Sequence, residues 1–135
     1  MLCSSLMQYK IILGIMIGGS LGAVSRYLAT FYIQRELGSS LANFPLGTLT
    51  VNLVGAFLLS FLLFSDYFGL SQNWKFAIGT GFMGALTTFS TFELESFELI
   101  TKGSYLLAFV NLFGSVSLGL LAIILGQKLA LFLKP

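Results

Sequence analysis

Four hydroxyl residues, Thr87, Thr88, Ser90 and Thr91, follow three glycines, Gly79, Gly81 and Gly84, inside the run GTGFMGALTTFSTF, which carries no charge until Glu93. Glycine weakens a helix, and hydroxyls can take up backbone groups that a helix leaves unpaired or can contact a ligand directly. If the chain unwinds near Gly84 to Thr88, the freed carbonyls can coordinate a hard cation such as sodium. The helix that restarts beyond them offers amide donors and a positive dipole end, which favour an anion. Phe89 and Phe92 are three residues apart and share a helix face. Their ring edges carry the positive part of the aromatic quadrupole, so an edge-on pair attracts an anion while excluding water, although phenylalanine at this spacing is more often core.

Other polar residues interrupt the apolar segments. Thr48 and Asn52, and again Asn111 and Ser115, stand four apart and project as short stripes from one face of their helices. Each stripe fits either an ion path or the hydrogen bonds that join helices in a bilayer. Arg26 cannot shed its charge, so it either snorkels to the interface or faces a wet cavity. Gly14, Gly18 and Gly22 stack on one face, for close packing within the subunit or between subunits. Glu93, Glu95 and Glu98 fit a helix end emerging into headgroups, with Lys102 four residues beyond Glu98 as its partner.

Composition decides the solvent that must hold these residues. The 135 residues are 56% hydrophobic and 9% charged, with a mean hydropathy of +0.93. A soluble domain carries about 25% charged residues, so this is an all-α membrane protein. At about 20 residues per span there is room for four spans in one domain covering 1–135. The expected spans are Ile11–Ile33, Pro45–Phe64, Trp74–Ile100 and Tyr105–Leu125. Polar connections lie at Gln34–Phe44, around Gly38-Ser39-Ser40, and at Asp66–Asn73, with Trp74 and Lys75 as interfacial anchors of span three and Lys128 and Lys134 beyond span four. The apolar run after Lys10 is too long for a cleavable signal core.

The chain has no histidine and a single cysteine, Cys3, which excludes an internal disulfide and a His/Cys metal site. Its net charge of +2 is scattered, so no nucleic-acid partner is expected. Lys10, Lys75, Lys128 and Lys134 fall on the side of the termini, against Arg35, Lys102 and, by position, Arg26 on the other. This weak bias fits either ordinary insertion or insertion in both orientations.

Three blocks carry a family resemblance: Gly18-Gly19-Ser20-Leu21-Gly22-Ala23 with Arg26-Tyr27, Phe44-Pro45-Leu46-Gly47-Thr48-Leu49 with Val51-Asn52, and Gly84-Ala85-Leu86-Thr87-Thr88-Phe89-Ser90-Thr91-Phe92. In order and spacing they resemble the signature blocks of the CrcB/Fluc fluoride channel family. The resemblance implies an antiparallel, dual-topology homodimer of four-helix subunits in the bacterial cytoplasmic (inner) membrane, with the third helix broken mid-membrane and two fluoride pores. It implies that Phe89 and Phe92 line each pore, with Ser90 and Thr91 as neighbouring donors, Asn52 on the ion path and Arg26 at the vestibule. Thr48, Asn111 and Ser115 would form a polar track, and the carbonyls of Gly84 and Thr87 would hold a structural sodium at the dimer centre. Glu95 sits where the family often has an acid near the pore end. The main alternative is a small dual-topology multidrug or cation exporter, which needs a membrane-embedded acid in its first span, where this chain has Arg26. A non-conducting packing subunit would use the polar stripes only as helix glue. With no histidine and no nucleophile–base pair, an enzyme is not expected.

Overall fold

The computed structural model of the chain describes residues 2–37 and 44–134, all helical or connecting, with no strand among them. The Gly38-Ser39-Ser40 turn lies outside the described residues. Helix α1 runs Leu2–Leu37 and α2 runs Leu46–Phe64, opening directly after Pro45, which suits a first helical turn. The third stretch is composite: α3 (Gln72–Ile78) passes into a π-helical turn (Gly79–Met83) and then a single α-turn, α4 (Gly84–Leu86). After Thr87 and Thr88, α5 covers Phe89–Thr101 and α6 covers Tyr105–Phe132. Three of these helices, α1, α2 and α6, are long and apolar enough to cross a membrane.

Both long outer helices overrun the apolar limits expected for them. Nothing between Leu2 and Leu37 breaks a helix, so α1 continues past Ile11 and Ile33 at both ends. α6 opens at Tyr105 and carries on through Gln127 and Lys128 to Phe132 for the same reason. Hydropathy marks where lipid ends, and helix propensity marks where the helix ends.

The glycine ladder of α1 packs inside the subunit. A methyl group at Gly22 would lie 2.3 Å from the Phe82 carbonyl oxygen, and one at Gly18 would lie 3.0 Å from the Phe82 nitrogen. Backbone therefore touches backbone where α1 crosses the π turn, an approach that only glycine permits. Val51, Met83 and Leu86 form the buried cluster beneath that crossing, with Ala29, Leu58, Leu59 and Phe82 packed around it. α2 also packs along α6, where Ser60 Oγ donates to the Ile123 carbonyl at 2.7 Å.

Lys75 departs from its expected place as an interfacial anchor. Its residue is only 5% exposed, and its ammonium donates to the Ser65 carbonyl at the end of α2 and to Asp66 Oδ1 at 3.3 Å. A cation at that position complements the carbonyl end of α2. Asp66 also receives Lys134 at 3.1 Å on its other oxygen, so the last described residue joins the same knot. The Glu98–Lys102 pair forms as expected at 3.2 Å.

Candidate functional site

Helical hydrogen bonding stops between α4 and α5. Thr87 (φ −83°, ψ 156°) and Thr88 (φ −150°, ψ 122°) are extended, and Asn52 of α2 fills the gap. The Thr88 amide donates to Asn52 Oδ1 at 2.8 Å, and Asn52 Nδ2 donates back to the Thr88 carbonyl at 3.1 Å. One side-chain amide thus pairs with both polar groups of one residue, much as a neighbouring strand would. Thr88 in turn caps α5: its Oγ1 accepts from the Thr91 amide and donates to Thr91 Oγ1 at 2.9 Å. Gly55, one turn along from Asn52, lets α2 come this close, because a methyl group there would lie 2.3 Å from Thr87 Cγ2.

The same bonds release particular carbonyls. In a continuous α-helix the amides of Thr88 and Thr91 would reach back to the carbonyls of Gly84 and Thr87. Here both amides are engaged elsewhere, so these two carbonyls lose their helical donors. Arg26 Nη1 stands 3.4 Å from the Thr87 oxygen. Among the described residues no three His, Cys, Asp or Glu side chains gather to hold a metal ion. A cation at this break would therefore rest on neutral carbonyl oxygens, a donor set suited to a hard ion of low charge. Gly84 is an exposed residue and Thr87 a half-buried one, and the Thr87 carbonyl already faces the Arg26 guanidinium.

Two grooves flank the break, with Thr88 lining both. One, of about 340 Å³, is bordered by Asn52, Gly55, Thr87, Phe89, Phe92 and Ser115. The other, of about 400 Å³, is bordered by Arg26, Tyr27, Thr30, Thr48 and Thr91. The expected ion-path residues are accordingly divided: the aromatic pair, Asn52 and Ser115 on one side, Arg26, Thr48 and Thr91 on the other. Ser90 is exposed and borders neither groove. The two rings meet with centroids 5.9 Å apart and planes at 43°. They differ sharply in exposure, Phe92 at 7% and Phe89 at 70%.

Asn111 is buried rather than groove-lining, and it joins a chain of hydrogen bonds between α6 and α5. Ser115 Oγ donates to Asn111 Oδ1 at 3.3 Å, Asn111 Nδ2 to Ser96 Oγ at 2.9 Å, and Ser96 Oγ to the Phe92 carbonyl at 2.8 Å. The stripe on α6 thus ends on the backbone that carries the buried ring. On the other face of α5, Thr48 Oγ1 donates to Glu95 Oε1 at 2.7 Å, while Oε2 is buried without a partner among the described residues. Ser96, Gly55 and the clasping role of Thr88 escaped the sequence reading. For Thr88 the signal was present, a threonine just ahead of an apolar helical run. Ser96 and Gly55 gave none, because their meaning depends on which helix faces them.

Comparison with known proteins agrees in length as well as in motif. The family model described as "CrcB-like protein, Camphor Resistance (CrcB)" matches residues 13–127. A protein of Pyrococcus abyssi named fluoride-specific ion channel FluC is 44% identical over 126 residues, covering 92% of this chain and 98% of its own. The proteins of the same name from Hydrogenobaculum and Clostridium perfringens are each 41% identical, covering 87% and 90% of this chain and 94% and 95% of theirs. With three membrane-length apolar helices and this match along nearly its whole length, the chain is a multi-pass membrane protein belonging to the CrcB family.

Proposed function

We propose that this protein, a member of an ion-channel family and not an enzyme, is a fluoride-selective channel that lets fluoride leave the cell passively across the bacterial cytoplasmic membrane. The observation that carries the reading is the groove beside the α4–α5 break, where an aromatic pair, a side-chain amide and three hydroxyl residues converge with no charged group among the described residues that line it. Fluoride is small and strongly hydrated, so a path for it must replace water with closely placed donors. The second N–H of the Asn52 amide and the hydroxyls of Ser90 and Thr91 offer them, and the positive edges of Phe89 and Phe92 keep the path anion-friendly while excluding water. Arg26, in the neighbouring groove, raises the local concentration of anions. Ser115 adds polar lining beside the rings and Thr48 does so in the neighbouring groove, while the buried Asn111 holds Ser115 in place by accepting its hydroxyl.

In this reading the subunit is one four-span domain whose third span is broken mid-membrane at Thr87–Thr88. Two copies pair in opposite orientations to give two pores. The 70% exposure of Phe89 supports a second copy as the missing wall of its groove. A structural sodium ion would rest on the carbonyls of Gly84 and Thr87 from both copies, where it would offset repulsion between anions in the two pores. The cation-exporter alternative lacks its acid, since the ionisable residue of this part of α1 is Arg26.

The test is efflux from liposomes reconstituted with the purified protein, followed with fluoride- and chloride-selective electrodes. Rapid fluoride loss with chloride retained is expected, and absence of fluoride loss from well-folded dimers would overturn the proposal. For the paired orientation, Cys3 is replaced by serine and a cysteine is placed at the exposed Ser71. Labelling of about half the molecules from each side is expected, and one-sided labelling would exclude dual topology.

A further inference from the structure

A third cavity, of about 490 Å³, lies away from the break, between the first turns of α1 and the start of α3. It is amphipathic along its length. Leu6, Ile11 and the indole of Trp74 form an apolar wall, and Lys10, Ser71 and Asn73 supply polar groups. Among the described residues Lys10 has no acidic partner, and the only bond of the Asn73 amide is a weak one to Met7 Sδ at 3.6 Å. Trp74 is 42% exposed, and a methyl group at Gly14 would touch its ring at 3.0 Å, which fixes the indole about one helical turn below Lys10. The wall of the cavity is thus apolar at the depth where the long apolar run of α1 begins, and cationic just above it.

We propose that this groove is a binding site for an anionic phospholipid, with the lipid phosphate at Lys10 and Asn73 and the upper acyl chain along Leu6, Ile11 and Trp74. Charge complementarity selects the headgroup, since an unpaired ammonium at the membrane surface favours an anionic over a zwitterionic lipid. The indole suits the boundary between chain and headgroup, where its N–H finds polar partners while its ring meets lipid. The site is separate from the proposed ion path and does not depend on the fluoride reading.

The protein carries its own reporter, because Trp74 is the only tryptophan in the sequence. The purified protein is reconstituted in bilayers of phosphatidylcholine and phosphatidylglycerol, with one or the other brominated near the headgroup end of its chains, and Trp74 emission is followed. The brominated phosphatidylglycerol is expected to quench at about five-fold lower mole fraction, the preference that one lysine at an anionic surface provides. Lys10→Gln abolishes that preference, whereas Lys128→Gln, which removes a charge away from the groove, leaves it intact. Inorganic phosphate added to the bath does not displace the lipid. Equal quenching by both lipids in the unmutated protein would reduce the groove to ordinary lipid contact and overturn the proposal. Quenching by neither would place another part of the assembly over the groove, and relief by inorganic phosphate would make it a site for free anions. Either result would also overturn it.

Discussion

Replacing Asn52 with alanine removes both hydrogen bonds that span the break, at 2.8 and 3.1 Å, and leaves the amide and carbonyl of Thr88 without protein partners. Thr88 is only 9% exposed, so water replaces those bonds poorly. Each unsatisfied buried group costs about 1–3 kcal/mol, giving about 2–6 kcal/mol for the pair. Asn52 itself is half-buried and its groove is open, which places the expected loss toward the lower end of that range. Even about 2 kcal/mol shifts an unfolding equilibrium roughly 30-fold. Denaturant unfolding of the purified protein in detergent measures the loss, and hydrogen exchange at the Thr88 amide should accelerate with it. Fluoride efflux should fall as well, because the orientation of Phe89 and Phe92 depends on where α5 restarts. An Asn52→Ala protein that loses fluoride flux but unfolds like the parent, with Thr88 still protected, would refute the clasp and assign the amide to the ion alone.

Phe92→Ile should depress fluoride flux and also lower stability, since that ring is buried, whereas Phe89→Ile should depress flux with little change in unfolding. Unchanged flux in both variants would return the rings to a packing role. Gly22→Ala places a methyl group 2.3 Å from the Phe82 carbonyl oxygen and should cost about 1–3 kcal/mol, while Gly119→Ala, which meets nothing within 4 Å, should be nearly neutral. Equal melting temperatures for those two variants would contradict the α1 crossing. The Asp66 carboxyl is held below its ordinary value of 3.8, chiefly by its hydrogen bond from Lys134 and then by Lys75. A depressed folded-state pKa contributes stability that is fully present above that ordinary value and is lost as pH falls through the folded value, so destabilisation from this group should appear only below pH 3.8. Asp66→Asn should remove that part of the pH dependence, as followed by unfolding at graded acid pH, and an unchanged profile would count against the knot.

Much of this arrangement could be read from the chain itself. Pro45 marked the start of α2, and the Glu98–Lys102 and Asn111–Ser115 spacings placed partners that do bond. The glycines from Gly79 to Gly84 pointed to an irregular third helix, although they yield a π turn, and the residues that leave helical geometry are Thr87 and Thr88 just beyond them. Local propensity identifies a segment that can yield; the neighbour that binds it decides where it yields. Asn52 lies 36 residues from Thr88, and nothing in either local sequence sets that pairing. Lys75 was illegible for the same reason. Beside Trp74 it has the pattern of a surface anchor, and only the turn through Ser65 and Asp66 folds the end of α2 onto it.

Because Asn52 holds the break from another helix, the interrupted form of the third segment is a property of the assembled subunit and not of the segment as it leaves the ribosome. While that segment is alone in the bilayer, its backbone groups have only one another to bond, which favours an unbroken helix. The extended pair at Thr87–Thr88 would then form only as α2 docks, which would make insertion of the segment and acquisition of its final shape separate events in the protein's biogenesis. Any substitution that delays the docking of α2 would lengthen the interval between them, during which the chain is inserted, helical and unable to conduct.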